Sequence, residues 1–203
     1  MSGNEGGRRG ENFMTGTIDS ERLHLIPMNP AFLRASLASN PGDAGPLLQV
    51  SLPADWPGEA TDVLSLHLEK FESEPALQPW LIRAMALRGT GAMIGHIGFH
   101  TPPGADYLQT ISPGAVEFGF TVFPVFRRQG YAREASLALM HWARQTHGVT
   151  KFVLSIRPDN AASQALAAQL GFVRIGSHVD EVDGLEDILE YSFCPTRDGE
   201  PSH

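Results

Sequence analysis

Residues 122–135 are Val122-Phe-Pro-Val-Phe-Arg-Arg-Gln-Gly-Tyr-Ala-Arg-Glu-Ala135, and they join a predicted strand to a predicted helix. Residues 116–122 alternate apolar with other side chains, which is the pattern of a strand. Beyond Gly130, apolar residues recur at helical spacing as far as Gly148. A turn of the form Arg-x-x-Gly-x-Ala therefore leads directly into a helix, whose first amides have no partner within the helix. Those amides and the helix dipole favour an anion at this turn.

This turn matches neither of two common phosphate-binding motifs. It contains no Gly-Lys-Ser/Thr, as the nucleoside-triphosphate loop requires, and no Gly-x-Gly-x-x-Gly, as the dinucleotide motif requires. Taken alone, the stretch also fits a plain polar turn in which Gly130 only supplies backbone freedom. An anion site and a plain turn therefore both stay open on these residues alone.

The rest of the chain predicts a mixed α/β domain. The strand, helix, strand order of residues 116–156 predicts a parallel pair, whereas the turns at 88–91 and 183–184 predict antiparallel hairpins. Asn29 and Asn160 are expected to cap helices. The expected strands cover residues 22–26, 80–87, 93–99, 116–122, 151–156, 172–182 and 185–193, and the expected helices cover residues 30–37, 60–71, 130–148 and 160–170.

The composition is that of one ordinary domain. The 203 residues are 42% apolar and carry 15 basic and 23 acidic side chains, for a formal net charge of -8. This acidity argues against nucleic-acid binding, which depends on Lys and Arg that neutralise phosphates. We expect a disordered segment at residues 1–16, a single domain at 17–194 and a flexible tail at 195–203.

Cysteine content and hydropathy indicate the compartment. The single cysteine, Cys194, excludes an intramolecular disulfide framework and any Cys-rich zinc module. No run approaches the roughly 18 to 20 consecutive apolar residues of a membrane helix. The Gly-rich start also lacks the apolar region of a signal peptide. We therefore expect a cytoplasmic protein with no membrane partner.

Five segments match, in order, the motifs of one enzyme family. Residues 117–120 are similar to a Glu-x-Gly-Tyr strand, and residues 130–135, Gly-Tyr-Ala-Arg-Glu-Ala, are similar to a Gly-Tyr-Ala-Thr-Glu-Ala helix start. Residues 157–163 followed by 170–172 resemble an Asn-x-x-Ser and Leu-Gly-Phe signature, and residues 93–99 look like the family's third strand. On these segments the chain resembles the GNAT superfamily of N-acetyltransferases, in the branch that includes the ribosomal-protein N-terminal alanine acetyltransferases.

This resemblance implies a GNAT-like three-layer α/β (α+β) fold. Its sheet would be mixed and mostly antiparallel, with six to seven strands, a central parallel splayed pair and flanking helices. The implied activity is an acyltransferase that moves an acetyl group directly from acetyl-CoA to a primary amine, on a protein N-terminus or a small molecule, without a metal. The alternative is a non-catalytic acyl-CoA-binding or interaction module. A homodimer is compatible with the resemblance, while the sequence leaves the oligomeric state and the acceptor open.

The resemblance also implies where acetyl-CoA is bound. The backbone of residues 120–122 would pair with the pantetheine arm like an added strand, and the amides of residues 128–132 would hold the diphosphate. Asn160 and Ser163 would lie beside the pantetheine and the thiol, and the gap between the two parallel strands would admit the thioester. The implied binding residues are Phe120, Thr121, Val122, Arg127, Arg128, Gln129, Gly130, Tyr131, Ala132, Asn160 and Ser163.

Two residues are candidates for the chemistry. Glu117 faces away from the apolar side of its strand, so it would act as the base, directly or through a water, or would position the acceptor amine. At the position of Ala167, many family members have a tyrosine. Here Ser163 or a water would stabilise or protonate the leaving sulfur. Alternatively, the thiolate would leave without help, because a thiol of pKa about 8.5 is a tolerable leaving group.

Three further features have simpler interpretations. His96 and His100 are four residues apart, but on a strand this spacing is about 13 Å. That distance excludes a shared metal ion, and His100 stays a candidate acceptor-site residue. Nothing near Cys194 marks it as a nucleophile. Six acidic residues between Asp180 and Glu190, with no Lys or Arg among them, predict a solvated turn or a negative rim that attracts a cationic amine.

Overall fold

The computed structural model describes residues 16–38, 40–180 and 184–193, and within them it contains eight strands and six α-helices. The strands are β1 (Ile18–Asp19), β2 (Leu23–Pro27), β3 (Arg83–Leu87), β4 (Met93–Phe99), β5 (Val116–Val122), β6 (Lys151–Ile156), β7 (Val173–Asp180) and β8 (Gly184–Ser192). The helices are α1 (Pro30–Ser36), α2 (Gly45–Leu48), α3 (Thr61–Ser73), α4 (Asp106–Gln109), α5 (Tyr131–His147) and α6 (Ala161–Leu170). None of these helices has both the length and the apolar character needed to cross a membrane. Residues 1–15 of the predicted N-terminal segment, the tail at 195–203 and Cys194 lie outside the described residues.

Local sequence signals determine where several elements begin and end. Asn29 caps α1, since its side chain accepts a hydrogen bond from the amide of Phe32. Asn160 caps α6 by accepting a hydrogen bond from the amide of Ser163. Gly171 ends α6 with a φ of 88°, a left-handed conformation that glycine adopts without strain. These predictions are confirmed.

The structure differs from the sequence-based expectations in its short elements. Residues 41–57 contain α2 and residues 102–113 contain α4, where only loops are expected. Helices of four residues show too little periodicity to be recognised in a sequence. The strand expected from residue 80 begins at Arg83, because Pro75–Trp80 form a 3-10 helix. The two-residue strand β1 brings the strands to eight, against the six to seven expected.

The chain forms two compact units, and β4, β5 and α5 contribute residues to both. The first unit comprises Met1–Gly98 and Phe120–Leu139. Its strands β1 to β4 pair in that order, each antiparallel to the next. Helices α1 and α3 bury apolar side chains, among them Phe32, Leu33 and Leu64, in the core of this unit.

The second unit comprises Phe99–Gly119 and Met140–His203. Here β8 pairs antiparallel with both β6 and β7. β5 pairs parallel with β6, and the register joins Val116 to Phe152 and Glu117 to Val153. Pairing at these two positions alone fits the predicted splayed pair, because the two strands part beyond Glu117. The expected mixed, mostly antiparallel α/β fold is confirmed.

Candidate active site

The predicted anion-binding turn precedes α5 in the first unit. β5 ends at Val122, a 3-10 turn covers Pro124–Phe126, and α5 begins at Tyr131. Arg128 and Gly130 have positive φ angles of 60° and 81°, which bend the backbone sharply into the helix. The amides of the first turn have no acceptor within α5, and the positive end of the helix dipole lies beside them.

A group of five residues, which we call the Arg22 cluster, holds this turn in place; it consists of Ser20, Arg22, Gln129, Tyr131 and Glu134. The Arg22 amide donates to Oε1 of Glu134 over 2.6 Å, and the Arg22 Nε donates to Oε2 over 2.7 Å. Nη1 of Arg22 donates to the Gln129 carbonyl over 3.0 Å, and the guanidinium lies 4.5 Å from the centre of the Tyr131 ring. The Ser20 hydroxyl donates to Oε1 of Glu134 over 2.7 Å. The turn is therefore attached to a segment 107 residues earlier in the chain.

Three charged side chains, Arg22, Arg127 and Glu134, lie around this turn. Burial alone raises the pKa of the Glu134 carboxyl, but hydrogen bonds from Ser20 and Arg22 and the charge of Arg22 lower it below its usual value. The ionised Glu134 complements the helix dipole from within the first turn. The Arg127 Nε donates to the Val122 carbonyl over 2.9 Å, which holds a second guanidinium beside the turn.

The residues predicted to pair with pantetheine lie just before this turn. Thr121 is exposed, while Phe120 and Val122 are half-buried. Immediately after them, the amide of Phe123 donates to the Ile94 carbonyl over 2.9 Å. The backbone at the end of β5 is therefore hydrogen-bonded to β4.

Glu117 lies in the second unit within a group that we call the Glu117 cluster, which consists of His100, Tyr107, Glu117 and Ser155. Glu117 is 6% exposed. The Tyr107 hydroxyl donates to Oε2 of Glu117 over 2.8 Å, and Nδ1 of His100 lies 3.6 Å from Oε1, an ion-pair distance rather than a short hydrogen bond. The His100 amide donates to the Glu117 carbonyl over 2.9 Å. Ser155, on β6 beyond the last parallel pair, also hydrogen-bonds the carboxylate.

The Glu117 cluster keeps this carboxylate ionised. Burial alone raises the pKa of Glu117, but contact with His100, the charge of His100 and the hydrogen bonds from Ser155 and Tyr107 outweigh burial and lower the pKa to about 2. The pKa of Tyr107 is raised, by burial and by the charge and hydrogen bond of Glu117, so the phenol stays protonated and donates. A carboxylate with so low a pKa binds a cation well and removes protons poorly.

The remaining predicted residues lie at the start of α6. The Asn160 side-chain oxygen caps this helix, and Ser163 is half-buried in its first turn. Ala167, which stands where a tyrosine is expected by resemblance, is fully buried.

Five residues of these clusters were not predicted from the sequence: Ser20, Arg22, Tyr107, Glu134 and Ser155. In the sequence, Arg22 is recognisable only as the first residue of a strand. The one indication of its role is the acidic Glu134 in the first turn of α5, which favours a nearby cation. Tyr107 lies on α4, in a segment expected to be a loop. The available signal for Tyr107 was its size and aromatic character, which are unusual in a loop rich in Gly and Pro.

The other candidates have mainly structural contacts. His96 is buried, and burial lowers its pKa to about 4. In the described part of the chain, no group of three or more His, Cys, Asp or Glu could hold a metal ion. The acidic stretch at 180–190 has cationic neighbours in space, since Arg174 Nε lies 2.5 Å from Oδ1 of Asp187. Glu181 and Asp183 lie outside the described residues.

Comparison with known proteins identifies the family. Residues 22–173 match the model described as "Acetyltransferase (GNAT) domain". This range includes the whole Glu117 cluster and every residue of the Arg22 cluster except Ser20. Together with the mixed fold, the match places the protein among the acyltransferases. The chain belongs to the GNAT acetyltransferase family.

Individual relatives are more distant. The N-acetyltransferase YjdG of Bacillus subtilis (strain 168), named as uncharacterized, is 27% identical over 160 residues, which cover 77% of this chain and 89% of that protein. A structure assigned to the GNAT family from Bordetella pertussis has a TM-score of 0.64 at 20% identity, over 87% of this chain and 99% of that one. The ribosomal-protein-S5-alanine acetyltransferase of Vibrio fischeri has a TM-score of 0.60 at 12% identity, over 91% of this chain and 99% of that one. These structures share the fold of this chain.

Proposed function

We propose that the protein is an acetyl-CoA-dependent N-acetyltransferase that transfers the acetyl group directly to a primary amine. Enzymes of the GNAT family use acetyl-CoA, and membership of the family supports acetyl transfer in general. For this chain, the observation that carries the proposal is the start of α5, where first-turn amides follow the left-handed Gly130 beside arginine side chains. A diphosphate held there by backbone amides is compatible with the net charge of -8.

Each part of acetyl-CoA has residues that fit it in this proposal. The amides of residues 128–132 and the side chain of Arg127 would hold the diphosphate, and the backbone of residues 120–122 would pair with the pantetheine arm. Asn160 and Ser163 would lie beside the pantetheine and the thiol. Because the Asn160 oxygen already caps α6, its contact with pantetheine would come from the side-chain amide nitrogen.

Glu117 belongs to the site of transfer in this proposal. The cationic amine first gives one proton to solvent water, and its neutral nitrogen then attacks the acetyl carbon. The C–S bond breaks with its electron pair on sulfur, and the second proton that the nitrogen gives up is balanced by protonation of the thiolate. The buried, ionised Glu117 would attract and position the cationic amine, which its low pKa favours over direct proton removal. The Ser163 hydroxyl or a water would stabilise the leaving thiolate, because the side chain of Ala167 has no polar group.

We propose a protein N-terminus or a small-molecule amine as the acceptor. The Vibrio fischeri protein of similar fold is named for ribosomal-protein-S5-alanine acetylation, which makes peptides with a free N-terminal alanine a first choice. A cytoplasmic location and a homodimer stay predictions, which cell fractionation and light scattering would test.

The direct test is release of free thiol from acetyl-CoA in the presence of N-terminal alanine and serine peptides, spermidine and single amino acids, with mass spectrometry of the products. We expect one class of amine to gain an acetyl group. Binding of coenzyme A in calorimetry without transfer to any amine would instead favour the non-catalytic acyl-CoA-binding module. Absence of both binding and transfer would refute the proposal.

A further inference from the structure

Tyr107 of the second unit combines a fixed hydroxyl with an exposed ring. Its hydroxyl donates to Oε2 of Glu117 over 2.8 Å, and the Thr101 side chain also interacts with the phenol. Tyr107 is nevertheless 47% exposed, whereas Glu117 is 6% exposed. Because the hydroxyl is turned toward a buried carboxylate, so large an exposure includes atoms of the ring. An apolar surface therefore borders the carboxylate.

The short helix α4 that carries Tyr107 is anchored to the second unit. Leu108, the next residue, is buried and packs in an apolar core of this unit. The Leu108 carbonyl accepts from the Ser112 amide over 2.8 Å, and the buried Ser112 hydroxyl donates to Oε2 of Glu190 on β8. The position of Tyr107 is therefore set before any acceptor binds, which lowers the entropy cost of binding.

The Glu117 carboxylate can accept a further hydrogen bond. The two oxygens of a carboxylate accept about four hydrogen bonds. Tyr107 and Ser155 donate to the carboxylate, and Nδ1 of His100 lies 3.6 Å from Oε1. These contacts leave room for one donor from a protonated amine. An amine bound there lies beside the Tyr107 ring, because the phenol and the carboxylate are in direct contact.

From this arrangement we propose that Tyr107 determines which acceptor is used, and that it selects primary amines with an apolar group close to the nitrogen. The inference rests on the proposed function, because it narrows the class of amine that receives the acetyl group. The hydroxyl holds the Glu117 carboxylate in the orientation that receives the ammonium group. The ring covers the apolar carbons next to the nitrogen, and burial of both apolar surfaces stabilises the complex.

A polar group at the same place is disfavoured. Against the ring it would lose its water and find no hydrogen-bond partner there, which costs free energy that an apolar group does not pay. Selectivity of this kind comes from a difference between two acceptors, so it is measured as a ratio. The ratio within one enzyme sample does not depend on the fraction of active protein or on its affinity for acetyl-CoA.

The test uses two pairs of acceptors whose members have similar size but different polarity next to the nitrogen. One pair is a short peptide with N-terminal leucine and the same peptide with N-terminal asparagine. The other pair is 3-methylbutylamine and β-alaninamide. For whichever pair is acetylated, we expect the wild type to favour the apolar member by about 10-fold or more in kcat/KM, as apolar contacts in enzyme pockets do.

Variants of Tyr107 separate the hydroxyl from the ring. Tyr107→Phe loses a hydrogen bond to a charged group, so kcat/KM should fall about 10-fold for both members of a pair, with their ratio kept. Tyr107→Ala and Tyr107→Gln also lose the ring, so the ratio should fall to about 1. In all three variants the KM for acetyl-CoA should change less than about 3-fold, because Tyr107 is assigned no contact with the cofactor. Gln109→Ala, an exposed position on the same helix, is the matched control and should keep the rates and the ratio of the wild type.

A second measurement does not depend on transfer. Calorimetry of the same amines with protein saturated with coenzyme A should show the apolar member binding about 10-fold more tightly to the wild type, and both members binding equally to Tyr107→Ala. If the wild type acetylates no amine, the proposed function fails, while the calorimetric ratio still decides the preference. The inference is overturned if the wild type has no preference or binds neither amine, if the preference persists in both variants without the ring, or if Gln109→Ala loses it equally.

Discussion

Gly130→Val tests the anion site most directly, because the backbone conformation opposes a side chain at this position and the new side chain would lie against Arg22. Gly130 has a φ of 81°, and a Cβ there would lie 3.4 Å from Nη2 of Arg22. A β-branched residue in this conformation costs roughly 1–3 kcal/mol of strain. The valine methyl groups would also displace the Arg22 guanidinium, which otherwise donates to Glu134 and to the carbonyl of Gln129.

The expected loss of affinity follows from the hydrogen bonds at stake. A hydrogen bond to a charged group contributes about 1.5–3 kcal/mol, so loss of one amide contact to the diphosphate would weaken coenzyme A binding about 10- to 150-fold. Loss of two such contacts would abolish measurable binding. Isothermal titration calorimetry with coenzyme A gives the affinity, and urea unfolding gives the stability of the same samples.

Gly148→Val is the matched control at the other end of α5. Gly148 also has a positive φ, 69°, but a Cβ there would meet no atom within 4 Å. Both variants should lose stability through backbone strain, while only Gly130→Val should lose affinity for coenzyme A. Unchanged affinity in Gly130→Val, or an equal loss in Gly148→Val, would refute the assignment of the diphosphate to this turn.

Three further variants test the clusters and the core. Arg22→Ala should weaken coenzyme A binding at least about 10-fold, because the turn loses its attachment, whereas Arg34→Ala, which removes an exposed ion pair with Glu72, should leave affinity in calorimetry unchanged. Glu117→Gln should alter the pH dependence of stability. The Glu117 pKa lies below its unfolded value, so its contribution is present above about pH 4.5 and is lost as the pH falls toward 2. The wild type should therefore lose roughly 3 kcal/mol more than Glu117→Gln over this range, measured by urea unfolding. Arg83 is buried and stays charged, with a pKa that burial lowers to about 10, and its guanidinium donates to the carbonyls of Gly16 and Pro79. Arg83→Ala should lower the free energy of unfolding by about 3 kcal/mol in urea unfolding, and a loss below about 0.5 kcal/mol would contradict this structural role.

Sequence reasoning predicted the fold well where the signal is local. The caps at Asn29 and Asn160 need only a side chain three residues from an amide, and the end of α6 needs only Gly171. The alternation of residues 116–122 predicted β5 with its observed bounds. In each case the residues that determine the structure lie within one or two turns or a single strand.

The missed parts depend on contacts between distant residues. Arg22 meets Glu134 across a separation of 112 residues, and no local pattern links them. His100 meets Glu117 because their backbones are hydrogen-bonded across a long loop, whose path a single sequence does not specify. Tyr107 reaches the carboxylate from α4, a helix too short to show periodicity. Sequence reasoning therefore found Glu117 but not the partners that determine its chemistry.

Those partners favour one of the two roles that the sequence left open for Glu117, the positioning of the acceptor amine. An α-amino group has a pKa of about 8, so moving its proton to a carboxylate of pKa about 2 is uphill by roughly 8 kcal/mol. A buried carboxylate that is too weak a base acts better by attracting and positioning the cationic amine than by removing its proton.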